Sequence, residues 1–117
     1  MPKFLVLIYG NERKWADSPQ QWHDENGARH QAFIAEAGAA IAGANELEPT
    51  SKAVSVRAGT AGRPSVTDGP FMETKEVVGG YYVLNATDME EAVALASRIP
   101  EATATHGGVE VRRIVGS

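Results

Sequence analysis

The order of the predicted strands and helices constrains the fold of this chain more than any other feature of its sequence. A continuous apolar run, Phe4–Tyr9, predicts a first strand that is central in its sheet and buried on both faces. A helix is predicted from about Ser18 to Ala37, because Asp17-Ser18-Pro19 is typical of a helix start and Gly38 of a helix end. Residues 40–47 then predict a second strand. The first part of the chain therefore has a β-α-β pattern.

The second half of the chain repeats this pattern after a predicted hairpin. Residues 52–57 alternate apolar and polar side chains, and a turn at 59–62 joins them to a short returning strand at 64–67. Three elements follow: a strand over 77–86, a helix that begins at Asp88 and stops at Pro100, and a closing strand over 109–115.

Two β-α-β halves around a hairpin predict a ferredoxin-like α+β fold, with an antiparallel sheet and both helices on one of its faces. The strand over 77–86 is apolar on both sides, since Tyr81 and Val83 alternate with Tyr82 and Leu84. The face without helices should therefore be too apolar for water, and we expect a second copy of the chain to cover it. The prediction is a single domain over 1–117 that forms a homodimer.

Length, charge and composition exclude several classes of protein. A chain of 117 residues with 43% hydrophobic and 22% charged residues is expected to fold as one domain. A net charge of -4 without a Lys/Arg cluster argues against a nucleic-acid partner. The absence of cysteine excludes disulfides and thiolate chemistry. The first apolar run is too short for a signal peptide or a membrane span, so a cytoplasmic protein without a membrane partner is expected.

The first predicted helix places polar side chains where an apolar stripe is expected. Counting in steps of three and four from Trp22 puts Asn26 and His30 at or beside the stripe that continues to Phe33. One interpretation is a half-buried histidine with a structural hydrogen bond. The other is a general base or a substrate ligand, because the ordinary pKa of histidine, about 6.5, lies near working pH.

Motifs for metals, nucleotides and covalent catalysis are missing. His23 and His106 lack metal-ligand spacing with His30, so no metal site is expected. The sequence has no GxSxG nucleophile elbow and neither of the glycine-rich phosphate motifs GxGxxG and GxxxxGK[ST]. Chemistry without a cofactor, carried by oxygen and nitrogen groups, is the remaining expectation.

The segment TDGPFMETKE, residues 67–76, allows two interpretations. Asp68-Gly69-Pro70 is typical of a turn, and the charged residues after it are compatible with weak ion pairs on a solvated loop. Phe71 and Met72 lie in the same segment, however, and apolar anchors of this kind would fix the loop in place. A loop fixed in this way can hold carboxylates against a cavity.

Four segments together resemble the YCII-related family, specifically its DGPF-containing branch: FLVLIYGNE, RHQAF, TDGPFMETKEVVGGYYVL and the AxRIP and GGVEVRRI ending. The resemblance spans nearly the whole chain. It implies a ferredoxin-like dimeric α+β barrel in which two sheets pack back to back across the dimer. It also implies a cleft with a histidine and an aspartate that some relatives use for acid-base chemistry on small ring compounds, although most of the family has no established reaction.

Carried over by position, the resemblance assigns the family's histidine to His30 and its aspartate to Asp68. The resulting hypothesis is a cofactor-independent lyase, isomerase or dehydratase in which His30 is the general acid or base and Asp68 orients its ring. The remaining site residues would bind the substrate, with Glu73 and Lys75 as an ion-paired rim: Tyr9, Asn26, Phe71, Glu73 and Lys75.

The alternative hypothesis is a dimeric module without catalytic activity, which senses a ligand or binds a regulatory partner. In that case the DGPF loop is structural. Asp68 would cap backbone N–H groups, and Glu73 and Lys75 would tie the loop to the second copy.

Overall fold

The chain forms six strands and three helices in the computed structural model, which describes residues 1–117. The strands are β1 (Lys3–Asn11), β2 (Ile41–Glu46), β3 (Val54–Ala58), β4 (Pro64–Asp68), β5 (Glu76–Asn85) and β6 (Gly107–Arg113). The helices are α1 (Glu12–Asp17), α2 (Gln20–Ala37) and α3 (Met89–Ala96). Four strands pair in the order β2-β5-β1-β6, and every pair is antiparallel. This strand order confirms the predicted ferredoxin-like α+β fold.

The core lies between this sheet and the helices on one of its faces. Phe4, Val6 and Ile8 are buried at alternate positions of β1, and Phe33 of α2 belongs to the same cluster as Val6 and Ile8. Strand β1 is central, as predicted, but only every second side chain is fully buried. The prediction of burial on both faces is wrong for this chain because the helices cover a single face of an antiparallel sheet.

The opposite face of the sheet is apolar and lacks a covering element. The residues on this face alternate with the buried residues along the two central strands. They are half-buried: Leu5, Leu7 and Tyr9 of β1, and Tyr81 and Val83 of β5. This distribution matches the expectation that both sides of the strand over 77–86 are apolar.

Helix α2 starts two residues later than predicted and ends where predicted, at Ala37, with Gly38 at a φ of 52°. The short helix α1 was not predicted. Its start is capped by Asn11, whose side-chain oxygen accepts a hydrogen bond from the backbone N–H of Lys14 at 3.1 Å. None of the three helices is both long enough and apolar enough to cross a membrane.

Strands β3 and β4 form a separate two-stranded hairpin, residues 54–68, which we call the arm. Only Ser55 of its ten strand residues is buried. The radius of gyration of the chain is 16.1 Å, whereas a compact chain of this length has about 13 Å. The arm therefore projects away from the main sheet.

Candidate functional site

Two side chains of α2 meet a tyrosine of β5 and a glutamate of a turn beside β6. Asn26 and His30 are four residues apart and so lie on one face of the helix. Nδ1 of His30 is 2.7 Å from the hydroxyl oxygen of Tyr82, and Nε2 is 3.0 Å from Oε2 of Glu101. Asn26 donates its side-chain N–H to the same oxygen of Glu101 at 3.0 Å. These four residues are the polar cluster.

Glu101 is the buried anion of this cluster. It lies in a single 3-10 turn, Pro100–Ala102, and is only 5% exposed. Burial by itself would raise the pKa of Glu101, but the hydrogen bonds from His30 and Asn26 and the positive charge that His30 can carry outweigh burial and hold the pKa below its ordinary value. The carboxylate is therefore ionised at neutral pH and can only accept hydrogen bonds.

The ionised carboxylate fixes the tautomer of His30. Because Glu101 cannot donate, the proton of the neutral imidazole must be on Nε2, and Nδ1 then accepts a hydrogen bond from the hydroxyl of Tyr82. Burial, reinforced by the negative charge of Glu101, raises the pKa of Tyr82 to about 12. The hydroxyl thus stays protonated, and a directed chain runs from Tyr82 through His30 to Glu101.

Tyr82 is held in place by the helix-covered side of the sheet. The residue is 4% exposed, and its ring meets the ring of Phe33 edge-on, with centroids 5.1 Å apart and an interplanar angle of 77°. The ring of His30 lies nearly parallel to that of Tyr82 at 5.9 Å. Packing on this side leaves the polar cluster little freedom to change its geometry.

A cavity of about 710 Å³ lies beside the polar cluster, and all four cluster residues line it. Its size is in the range of small-molecule sites. Trp15 of α1 and Trp22 of α2 contribute to its wall, as do the apolar side chains Ile8 and Ile34. The arrangement places an acid-base group at the edge of a space that a small ring compound could enter.

Trp15 can reach the cavity because two strand positions opposite it carry no side chain. A Cβ added at Gly10 would overlap ring atoms of Trp15, and one added at Gly79 would lie 2.5 Å from its Cζ3 atom. Gly79 is also where the pairing of β1 with β5 shifts register, between Ile8 and Tyr9. The ring of Trp15 therefore explains why Gly10 and Gly79 carry no side chain.

The structure brings only two of the predicted site residues to the cavity, His30 and Asn26. Asp68 is exposed at the end of β4, opposite Val54 of the arm, and it makes no hydrogen bond to His30. The expected pair of His30 and Asp68 is not formed within the chain, because Asp68 belongs to the arm, which is a sheet separate from the one that α2 covers. Glu101 occupies the position beside His30 that the resemblance assigned to Asp68.

The other predicted substrate contacts lie away from the cavity. Tyr9 follows the buried Ile8 in β1, and because side chains alternate along a strand it belongs to the open face of the sheet. Phe71 is exposed and lies under the guanidinium of Arg57, 3.6 Å from the ring centroid. Glu73 and Lys75 are exposed and form no ion pair with each other.

The DGPF segment is tied to β3. Gly69 adopts a φ of 103°, the left-handed conformation that the turn interpretation requires. Its backbone N–H donates to the carbonyl of Ala53 at 2.7 Å, and its carbonyl accepts from the hydroxyl of Ser55 at 2.7 Å. Arg57 donates to the carbonyl of Phe71 at 2.6 Å. The backbone of the segment, rather than the carboxylate of Asp68, makes these contacts.

Sequence reasoning missed three residues of the site: Trp15, Tyr82 and Glu101. Two polar side chains on an apolar helix stripe require a buried polar partner, and that requirement was the available signal. It could not identify the partner, because Glu101 is 71 residues from His30 in the chain and follows a proline that reads as a helix stop. No group of three His, Asp or Glu side chains converges in a way that could hold a metal ion.

The fold and the polar cluster define a small ferredoxin-like α+β protein with a Glu–His–Tyr chain of hydrogen bonds beside a cavity. The family model of the YCII-related domain matches residues 3–116, and the chain therefore belongs to the YCII-related family. An uncharacterized protein of Rhizobium meliloti (strain 1021) is 31% identical over 112 residues, which cover 93% of this chain and 89% of the relative. The DGPF-containing branch within the family stays a prediction.

Proposed function

We propose that the protein is a cofactor-independent acid-base enzyme that acts on a small molecule bound in the cavity. The observation that carries the proposal is the hydrogen-bonded chain of Tyr82, His30 and Glu101 at the cavity wall. A base whose second nitrogen is held by a carboxylate is the usual arrangement for proton transfer by histidine. His30 is the proton acceptor and donor, and Glu101 has the orienting role that the sequence analysis gave to Asp68.

Tyr82 supplies the third part of the mechanism. With its proton on the oxygen, it donates to Nδ1 of His30 and keeps free acceptor lone pairs on the same oxygen. A substrate O–H or acidic C–H that approaches the free lone pairs of this oxygen can pass its proton to the oxygen while the Tyr82 proton moves to Nδ1. The imidazolium that forms is stabilised by Glu101, and it can return the proton to another atom of the same substrate. Isomerisation and elimination both need this sequence of steps.

The arrangement of the cluster has its own test, by 15N NMR of the imidazole. In the neutral state we expect His30 as the tautomer with the proton on Nε2. Glu101→Gln should change the tautomer populations, whereas Asp68→Asn should leave the spectrum unchanged. A proton on Nδ1 in the wild type, or a response to Asp68→Asn alone, would contradict the assignment of Glu101 as the orienting carboxylate.

The activity is tested by proton exchange with solvent. We expect the protein to incorporate deuterium from D2O next to the carbonyl of small cyclic ketones and lactones, and His30→Asn to slow this by about 100-fold or more. Asp68→Asn is the matched control and should retain the wild-type rate. Equal rates for wild type and His30→Asn, with both folded by circular dichroism, would exclude His30 as the acid-base group.

The second candidate function is a dimeric binding module, and the arm favours it. Val56 lies opposite Val66, and Val54 has the same parity, so three valines form an apolar stripe on one face of the arm. Each of them is more than half exposed. A two-stranded hairpin is marginal alone in water, so a second copy of the chain that covers the stripe would stabilise it. We propose a homodimer in which the arm contacts the second copy.

The dimer is tested by substitution on the two faces of the arm. We expect Val56→Asp with Val66→Asp to convert a wild-type dimer into a monomer in sedimentation velocity, because charges cannot be buried unpaired. Ser65→Asp with Thr67→Asp on the opposite face is the control and should stay dimeric. A monomeric wild type, or the same oligomeric state for both double variants, would contradict the role of the stripe.

A further inference from the structure

One oxygen of the buried Glu101 carboxylate has no hydrogen-bond donor. Nε2 of His30 is 2.8 Å from Oε1, but the N–H of this nitrogen bonds Oε2, which also accepts from Asn26. Oε1 is left buried without a hydrogen-bond partner. Ionised carboxylate oxygens in protein interiors are normally paired with N–H or O–H groups. Since Glu101 lines the cavity, the incompletely paired negative charge of its carboxylate acts on a molecule bound there.

The walls of the cavity are acidic. Among the residues that line it there is no lysine and no arginine, but there are five carboxylates: Glu12, Asp24, Glu46, Glu48 and Glu101. Glu12 accepts from the backbone N–H and hydroxyl of Thr50, and Glu48 pairs with Lys52, which lies outside the wall. The other side chains bring no compensating cation other than a protonated histidine. The field in the cavity therefore opposes an anionic ligand and favours a cationic one.

Aromatic rings in the cavity wall also favour a cationic ligand. Trp15, Trp22 and Tyr82 all border the cavity, and Ile8 and Ile34 add apolar surface. The faces of tryptophan and tyrosine rings attract cations, and tryptophan does so most strongly. A ligand with an apolar body and a positively charged head would use both kinds of surface.

We infer that the cavity binds a small organic cation, a protonated amine or an amidine on a ring-sized apolar body, with its charged head beside the carboxylate of Glu101. This ligand class rests on the proposed function, because the carboxylate that would receive the cation is the one that orients His30. It excludes phosphate esters and carboxylic acids as substrates. Their charge would meet five carboxylates and find no lysine or arginine in the wall.

Three probes of one size and different charge test the inference: benzylammonium, benzyl alcohol and benzoate. Binding is followed by the fluorescence of Trp15 and Trp22 and by calorimetry. We expect benzylammonium to bind about tenfold or more tightly than the alcohol, and benzoate to bind least, a tenfold ratio being 1.4 kcal/mol. Glu101→Gln should weaken benzylammonium about tenfold, and Glu110→Gln, on an exposed part of β6, should change it less than twofold.

Benzoate or benzyl alcohol binding as tightly as benzylammonium would overturn the inference, as would no binding of benzylammonium at millimolar concentration. The comparison of the three probes on the wild type keeps the test decisive even if Glu101→Gln does not fold. His30→Asn separates this inference from the proposed function. Loss of deuterium exchange with the preference for benzylammonium retained supports both statements. If His30→Asn exchanges deuterium at the wild-type rate and still prefers benzylammonium, only the acid-base function is contradicted.

Discussion

Replacing Glu101 by alanine is expected to lower the free energy of unfolding by about 2 to 3 kcal/mol near neutral pH. The substitution removes the charged acceptor of His30 and Asn26 and leaves both donors at the cavity without a partner. The value is at the lower end for a broken buried pair because the side chain of His30 is 19% exposed and can reach water. Urea unfolding followed by circular dichroism measures it.

The stability lost in Glu101→Ala should depend on pH and become smaller as the pH falls. The pKa of Glu101 in the folded chain is below the value of 4.5 that applies to the unfolded chain. The ionised group therefore stabilises the fold fully above pH 4.5, and this contribution disappears as the pH falls through the lower, folded-state pKa. The difference between wild type and Glu101→Ala should be largest near neutral pH and shrink in acid.

Glu110→Ala is the matched control for this experiment. Glu110 is exposed on β6 and is 3.9 Å from Arg112, a surface pair of the kind that contributes little. Its removal should change the free energy of unfolding by less than about 0.5 kcal/mol. A loss in Glu101→Ala that persists undiminished in acid would show that packing, and not the charge of the carboxylate, is the source.

The strands of the main sheet were predictable because their signals are local. Apolar runs and the breakers between them give the four sheet strands to within a few residues, and their order along the chain implies the topology. Helix α1 was not predictable in this way. Its six residues contain one large apolar side chain, Trp15, and the helix is fixed by the Asn11 cap and by the contact of Trp15 with the glycines of the sheet.

The site was predictable only on its α2 side. Asn26 and His30 conflict with the apolar stripe of their own helix, and this conflict is visible in the sequence. Their partner depends on how a turn between α3 and β6 meets α2, which no local pattern encodes. The DGPF motif drew attention to Asp68 instead. A motif gives the identity of a residue, whereas the separate path of the arm decides what that residue can contact.

Gly10→Ala is expected to destabilise the fold by about 2 kcal/mol through a single steric conflict. A methyl group at this position overlaps the ring of Trp15, so the tryptophan must leave its place over β1 and β5. Alanine would otherwise be slightly favourable in a strand, since glycine loses more backbone entropy on folding. Gly108→Ala on the neighbouring strand β6 is the matched control, because a Cβ there meets nothing within 4 Å, and it should be neutral or slightly stabilising.

A double-mutant cycle shows whether Trp15 is the cause. In a Trp15→Ala background the added methyl group has no ring to displace, so Gly10→Ala should cost nothing, and the coupling energy should be about 2 kcal/mol. The displaced ring also leaves the cavity wall, so Gly10→Ala should weaken benzylammonium binding while the hydrogen bonds of the polar cluster persist in 15N NMR. If Gly10→Ala is equally destabilising with and without Trp15, the strand itself requires the glycine. In that case Gly10 does not serve to hold Trp15 in the cavity wall.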